Sequence, residues 1–370
     1  MSDIDGIVGM TREMMKAMKG IHGGDIYRNQ VRMDFSVNVN PLGIPETVTD
    51  ALHKAIDGCD KYPDMTAQKL TEAVSAMLYV EQEWLLFGNG ASELFMAIVH
   101  AIRPKKTVIP VPSFYGYEYA AGATDGEIIY YQTRKENAFC LEEDFLSVLT
   151  EDVDLLFLAN PNNPTGCLMS RDYVKSLLSH CKEKGIYVVL DECFVEFCGE
   201  EWSVIQETGQ YENLILVRAF TKIYSIPGVR LGYLVCSNSG LWERIRRQLP
   251  EWNLSCFAQA AGYECAKQKG FIQKTVDYMK QERFFLKEGL EQLGLNVFES
   301  EANFLLIQSE EPLYECLLEK GILIRDCENF RGLSKGFYRI AVKSREENEL
   351  LLRVMGEIHG KNRTRNKERT

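Results

Sequence analysis

Residues 213–217 and 231–236 are two apolar runs separated by a turn that carries a lysine, Lys222, a hydroxyl beside it, Thr221, and an arginine further on, Arg230. A lysine set between two buried strands is costly as an ammonium unless it is paired, neutralised or used covalently. An amine with a lowered pKa is what Schiff-base formation with an aldehyde requires. Thr221 and Arg230 would then be a neutral and a charged donor for a phosphate. The competing reading is a solvated surface lysine beside a turn, and the rest of the chain decides between them.

Other polar residues collect at comparable places. The loop 88–93, Gly-Asn-Gly-Ala-Ser-Glu, falls between a strand and a helix. Backbone N–H groups around Gly90, Ala91 and Ser92 can cradle a phosphate at the positive end of that helix; a glycine turn with Ser92 as a plain N-cap is the alternative. Phe114, in the run 112–117, offers a face for a flat heteroaromatic ring, or is a core aromatic. In 160–166 two prolines constrain the backbone, and Asn163 can donate a side-chain hydrogen bond. Asp191 ends the apolar run 186–190, where a carboxylate needs a partner that a pyridinium nitrogen would supply. Glu192 could cap a helix or pair with an arginine. Phosphate loop, ring face, asparagine, carboxylate, lysine and arginine follow one another at successive strand ends, and together they point to pyridoxal 5'-phosphate.

The elements that would position these groups alternate along the chain. Helical patterns at 46–56, 65–78 and 94–102 and strand patterns at 84–87, 107–111, 127–131, 154–158, 186–190, 213–217 and 231–236 predict an α/β domain over 46–255. Its sheet should be mainly parallel and covered by helices. In such sheets ligands bind beyond the carboxyl ends of the strands. A long helical pattern through residue 293 follows, then strands at 303–307, 322–325 and 337–342 and a helix at 345–358. These predict a smaller α+β C-terminal domain over 256–359. Residues 1–45, with a short helix at 11–19, read as an arm joining it, and 360–370 as a polar, basic, frayed tail.

The 370 residues suffice for a large core, and a net charge of −11 argues against nucleic acid as a partner. There is no C-x-x-C pair to suggest zinc, and no metal site is expected. Eleven scattered cysteines, taken as free thiols, fit a reducing cytoplasm. Neither a signal peptide nor a membrane-spanning apolar run is seen.

Over nearly its whole length the chain resembles the fold type I pyridoxal-phosphate enzymes, the class I/II aminotransferase superfamily with its aspartate-aminotransferase-like fold. Within it the chain is most similar to the branch holding histidinol-phosphate aminotransferases and threonine-phosphate decarboxylases. The resemblance implies that Lys222 forms the Schiff base and shuttles a proton, Asp191 holds the pyridine nitrogen, Asn163 the ring hydroxyl, and Phe114 the ring face. Ala91, Ser92, Thr221 and Arg230 would bind the cofactor phosphate. Tyr62, in Tyr-Pro-Asp, resembles a tyrosine that reaches this phosphate from a partner subunit, which implies a homodimer. Arg339, in Tyr-Arg-Ile, resembles the arginine that grips the substrate's acidic group, and Arg325 a second anion-binding arginine. Phe194 stands where aminotransferases of the branch usually have tyrosine. This and the segments around His22 and Asn40 resemble the decarboxylase side, so that His22 and Asn40 would help hold substrate; the segment between His22 and Asp34 is shorter than in that family.

The expected activity is therefore transamination or decarboxylation of an amino substrate, with a phosphorylated one favoured because two arginines and His22 would make a cationic pocket in an acidic protein. A non-catalytic, cofactor-binding regulatory module is the alternative. The short arm, the acidic charge and the retained Lys222 speak against it, and a gel-shift assay would discriminate.

Overall fold

The structure, a computed structural model, describes residues 23–367, with side chains through residue 359. His22 and the helix expected at 11–19 lie outside the described residues.

Strands are numbered in chain order. β1 (Met33–Asp34) is followed by β2 (Leu85–Gly88), β3 (Lys106–Val111), β4 (Glu127–Gln132), β5 (Leu155–Ala159), β6 (Tyr187–Asp191), β7 (Leu214–Ala219) and β8 (Gly232–Val235). β2 to β8 form one sheet in the order β2-β8-β7-β6-β5-β3-β4, in which β8 alone runs against its neighbours. The central strands are unbroken apolar runs because both faces are covered. Leu155 and Phe157 of β5 enter the core on one face, Leu156 and Leu158 the core on the other; Ile215 and Val217 of β7 oppose Leu214 and Leu216 in the same way. Burial of each such leucine contributes about 1.5–3 kcal/mol. Helices Ala91–Ile102, Tyr115–Ala121 and Ser239–Arg246 cover the first face, and Arg171–Lys184 the second. The last of these starts where Ser170 Oγ accepts from Tyr173 N and stops at Gly185, whose φ of 76° lets the chain leave the helix.

The helical pattern after residue 255 is two helices, Cys256–Ala266 and Phe271–Gln292, separated at Gly270 with φ 79°. The first lies against helices Glu46–Ala55 and Gln68–Leu78, on the large-sheet side of the division expected at 255. There Gly262 leaves no room for a Cβ, which would meet Leu231 at 2.4 Å and Leu70 at 2.7 Å. The second leads to β9 (Asn296–Val297), β10 (Phe304–Gln308), β11 (Ile322–Leu323), β12 (Arg325–Asp326) and β13 (Phe337–Ala341). An antiparallel sheet β12-β13-β10-β9 packs with Phe271–Gln292 and the final helix Arg345–Lys367, which runs on past residue 358 into the segment expected to fray.

The single strand expected at 322–325 is two strands in different sheets. β11 pairs in parallel with β1, and after Ile324 β12 pairs with β13. The arm thus supplies a strand to the smaller domain. The expectation of free thiols is also corrected: Cys140 and Cys167 form a disulfide, their Cα atoms 5.8 Å apart, because the loops after β4 and β5 meet beyond the sheet. Among the described residues no helix is long and apolar enough to cross a membrane.

Candidate active site

A cavity of about 680 Å³ opens at the carboxyl rim of the large sheet, closed on its other side by the arm and by β12, β13 and the loop between them. Lys222 lies at its floor on the one-turn helix Phe220–Ile223, which directly continues β7. Burial, then the nearby guanidiniums of Arg339 and Arg230, pushes its ammonium from 10.5 down to about 8. Its backbone carbonyl accepts from Asn40 N at 3.0 Å, so the arm is sewn to the lysine's own turn.

Thr221, Ser92, Ala91, Gly90 and Arg230 line the adjoining wall. β2 lies beside the antiparallel β8, and Gly88 pairs with Gly232. A Cβ at Gly232 would meet Ala91 N at 2.8 Å, and one on Gly90 (φ 81°) would meet Arg230 Nη2 at 2.6 Å. Two glycines therefore allow a backbone loop, a helix start and a guanidinium to converge on a small volume. Arg230 itself adopts φ 59°, and its Nη1 donates to Pro227 O at 3.0 Å. Glu93 fixes the loop from below, accepting from Asn89 N at 2.7 Å and Asn253 Nδ2 at 3.2 Å.

Asp191, at the tip of β6, faces the same cavity. Oδ1 accepts from Cys193 N at 2.9 Å, and Oδ2 from the hydroxyl of Tyr117 at 2.5 Å. Burial raises its pKa, and these donors offset the rise only in part. The Tyr117 ring stacks on Phe157 at 5.2 Å and takes Phe114 edge-on at 5.6 Å. Phe114 lines the cavity, and Gly116 makes its position attainable, since a Cβ there would meet the ring at 2.3 Å. Sequence reasoning missed Tyr117. Its signal was available: it follows Phe114 by three positions at the start of a helix, on the same face.

Asn163 lines the cavity from a loop in which Asn162 Nδ2 donates to Pro112 O and Thr165 Oγ1, both at 2.9 Å. Its Oδ1 accepts from Arg339 Nη1. Arg339 Nη2 donates to Ser36 O at 2.7 Å, and Asn38, with Oδ1 turned toward the guanidinium, accepts from Nη1 and Nε at 3.3 and 3.2 Å. Arg325 Nη2 donates to Asn329 Oδ1 at 2.7 Å, and its guanidinium lies 5.0 Å from the Phe330 ring. Both arginines are buried and line the cavity.

Asn40 does not reach the cavity, which corrects the expectation that it holds substrate. Its amide donates to Ile223 O at 2.8 Å and Thr275 Oγ1 at 2.9 Å, and its Oδ1 accepts from Leu42 N. Asn38 and Ser36 face the ligand space instead. Tyr62 is 82% exposed, beside Trp252 at 5.1 Å, and is not part of the cavity wall. Phe194 lines the cavity and packs edge-on against Phe304 at 5.1 Å. Of the two alternatives for Glu192, the ion pair is observed: Arg218 donates to it at 2.9 and 3.1 Å, both side chains fully buried, with Ser203 Oγ donating at 2.6 Å.

A mainly parallel α/β sheet with a low-pKa amine and a buried carboxylate on one rim is the arrangement of an enzyme. The chain belongs to the class I and II aminotransferase family: residues 31–355 match the model for "Aminotransferase class I and II". It is 34% identical over 356 residues to the threonine-phosphate decarboxylase of Salmonella typhimurium, covering 93% of this chain and 98% of that one. It is also 34% identical over 306 residues to a histidinol-phosphate aminotransferase of Clostridium kluyveri, covering 81% and 84%. Among solved structures, the histidinol-phosphate aminotransferase of Clostridium acetobutylicum superposes with a TM-score of 0.84 at 32% identity, over 89% of this chain and 99% of that one.

Proposed function

We propose that this chain is a pyridoxal-phosphate-dependent enzyme that decarboxylates an amino acid bearing a phosphate ester, as the name of its Salmonella relative suggests. The cavity fits the cofactor on two counts: an amine and a carboxylate both line it, and a Cβ at Gly90 would occupy the cradle beside Arg230. Ala91, Ser92, Thr221 and Arg230 would hold the cofactor phosphate, Asn163 the ring hydroxyl, Phe114 the ring face and Lys222 the aldehyde carbon. Asp191, braced by Tyr117, would keep the proton on the ring nitrogen. Bound there, the cofactor supplies an electron-accepting ring that stabilises negative charge at the substrate α-carbon. Lys222 Nζ, with its pKa of about 8, can hold or release a proton beside that carbon near neutral pH.

The observation that carries the substrate reading is the pairing of Arg325 with Arg339 across β12 and β13, both facing one cavity. Two guanidiniums side by side suit a substrate with two anionic groups, a carboxylate and a phosphate. A substrate with a phosphate alone would use one of them. A transaminase reading has one specific support: the same pair suits the two carboxylates of glutamate. Product analysis with O-phosphothreonine and histidinol phosphate, with and without 2-oxoglutarate, tests the choice. Carbon dioxide release without a keto acid supports the decarboxylase, whereas glutamate or keto-acid-dependent turnover alone overturns it. The exposed Tyr62 and Trp252 fit a homodimer in which Tyr62 reaches the cofactor phosphate of a second copy.

A further inference from the structure

The loop between β12 and β13 carries Arg331, which lines the mouth of the cavity. Its Nη2 and Nε donate to the two carboxylate oxygens of Glu118 at 2.7 and 3.2 Å. The guanidinium carbon lies 4.0 Å from the centre of the Tyr130 ring. Glu118 belongs to the helix Tyr115–Ala121, one turn beyond Phe114, and Tyr130 to β4, so the contact joins the smaller domain to the larger across the opening. A second tie runs from Gln132 Nε2 to Gly332 O at 3.4 Å. Phe330, the residue before Arg331, covers Arg325 and packs in one apolar cluster with Phe139, Phe298 and Phe337.

An exposed ion pair alone contributes little. This one is two-pronged and lies on an aromatic face, the geometry in which an arginine is hardest to replace. Because Glu118 engages its fork, Arg331 is directed at the large domain rather than at a ligand. We infer that Arg331, clasped by Glu118 over Tyr130, is a positioning residue: it fixes over the cavity the loop that follows Arg325 and Asp326 of β12, and so sets the distance between the substrate's outer anion and the ring face at Phe114. The inference rests on the proposal that the cavity takes a phosphorylated amino substrate.

The test uses full-length holoenzyme as wild type, Glu118→Gln, Arg331→Lys and the exchange Glu118→Arg/Arg331→Glu. Hydrogen exchange over 327–336 reads the clasp without any substrate. Glu118→Gln should speed it by about fivefold or more at unchanged cofactor absorbance, and the exchange variant should restore much of the protection. With O-phosphothreonine, Glu118→Gln should raise KM by about tenfold while kcat stays within about twofold, and Arg331→Lys should recover only part of the loss. Unchanged exchange overturns the clasp; faster exchange with an unchanged KM overturns its positioning role. Failure of the substrate proposal shows separately, as wild type that turns over no phosphorylated amino acid while exchange still depends on Glu118; that result upholds the clasp and removes the anion it was held to position.

Discussion

Arg325 and Arg339 stand directly opposite each other in register on antiparallel strands, and both are buried. Like charges at such a site oppose each other, and burial lowers both pKa values. Among the described residues Arg339 makes no ion pair with a carboxylate; its partners are the neutral oxygens of Asn163, Ser36 and Asn38. On the proposed function, a bound anion would offset the like charges at this pair. Arg339→Met and Arg325→Met should each raise KM for a phosphorylated amino acid by about 100-fold, with cofactor affinity within about threefold of wild type. Steady-state kinetics and a cofactor titration measure the two quantities; loss of cofactor instead of KM would refute the division of labour.

Tyr117→Phe removes a hydroxyl donor to a buried carboxylate. We expect cofactor affinity to fall by about 10-fold, the order of one lost charge-assisted hydrogen bond, while the apolar stack on Phe157 persists. Fluorescence titration of the cofactor-free protein measures this. An unchanged dissociation constant would show that Asp191 does not depend on Tyr117.

Glu192 and Arg218 follow the same logic beneath the site. Register places Asp191 beside Val217, so this pair ties together the strand ends that bear Asp191 and Lys222. Arg218→Met should destabilise the protein by about 3–5 kcal/mol, because it leaves a carboxylate buried without its partner. Arg218→Met combined with Glu192→Gln should recover much of that. Urea unfolding checks it, and additive losses would mean that the two residues act independently.

Lys222 makes a pH prediction. Its folded pKa is about 8 against 10.5 in the unfolded chain, so between those values the unfolded state binds more protons and stability rises with pH. Wild type without cofactor should therefore gain on Lys222→Met as pH is raised from about 8 to about 10, and the difference should be flat below pH 7. The amine should also capture small aldehydes with a midpoint near 8. A midpoint near 10.5 would place Lys222 in solvent.

Most of the large sheet was legible because its strands are buried on both faces and so appear as continuous apolar runs. The groups at their tips stand out for the same reason: Asp191 and Lys222 are ionisable residues at the ends of segments that are otherwise apolar. Contacts between distant segments were not legible. The split of 322–325 depends on the arm arriving beside it, the Cys140–Cys167 bond on the order of β3, β4 and β5, and the Glu118–Arg331 clasp on how the two domains meet. Asn40 was misread although its sequence held a clue. An asparagine opening Asn-Pro-Leu-Gly caps its own turn, here with Leu42 N on Oδ1 and Gly43 N on its carbonyl, which leaves Asn38 to meet Arg339.

The arm also acts as a tether of fixed length. Phe35 is hydrogen-bonded into the smaller domain through Leu323 and Ala341, and Asn40 to the backbone of Lys222. Five residue steps of fully extended chain span at most roughly 18 Å. While those bonds hold, the smaller domain cannot swing further than that from the lysine, and any excursion that draws the segment taut pulls on the turn that carries Lys222.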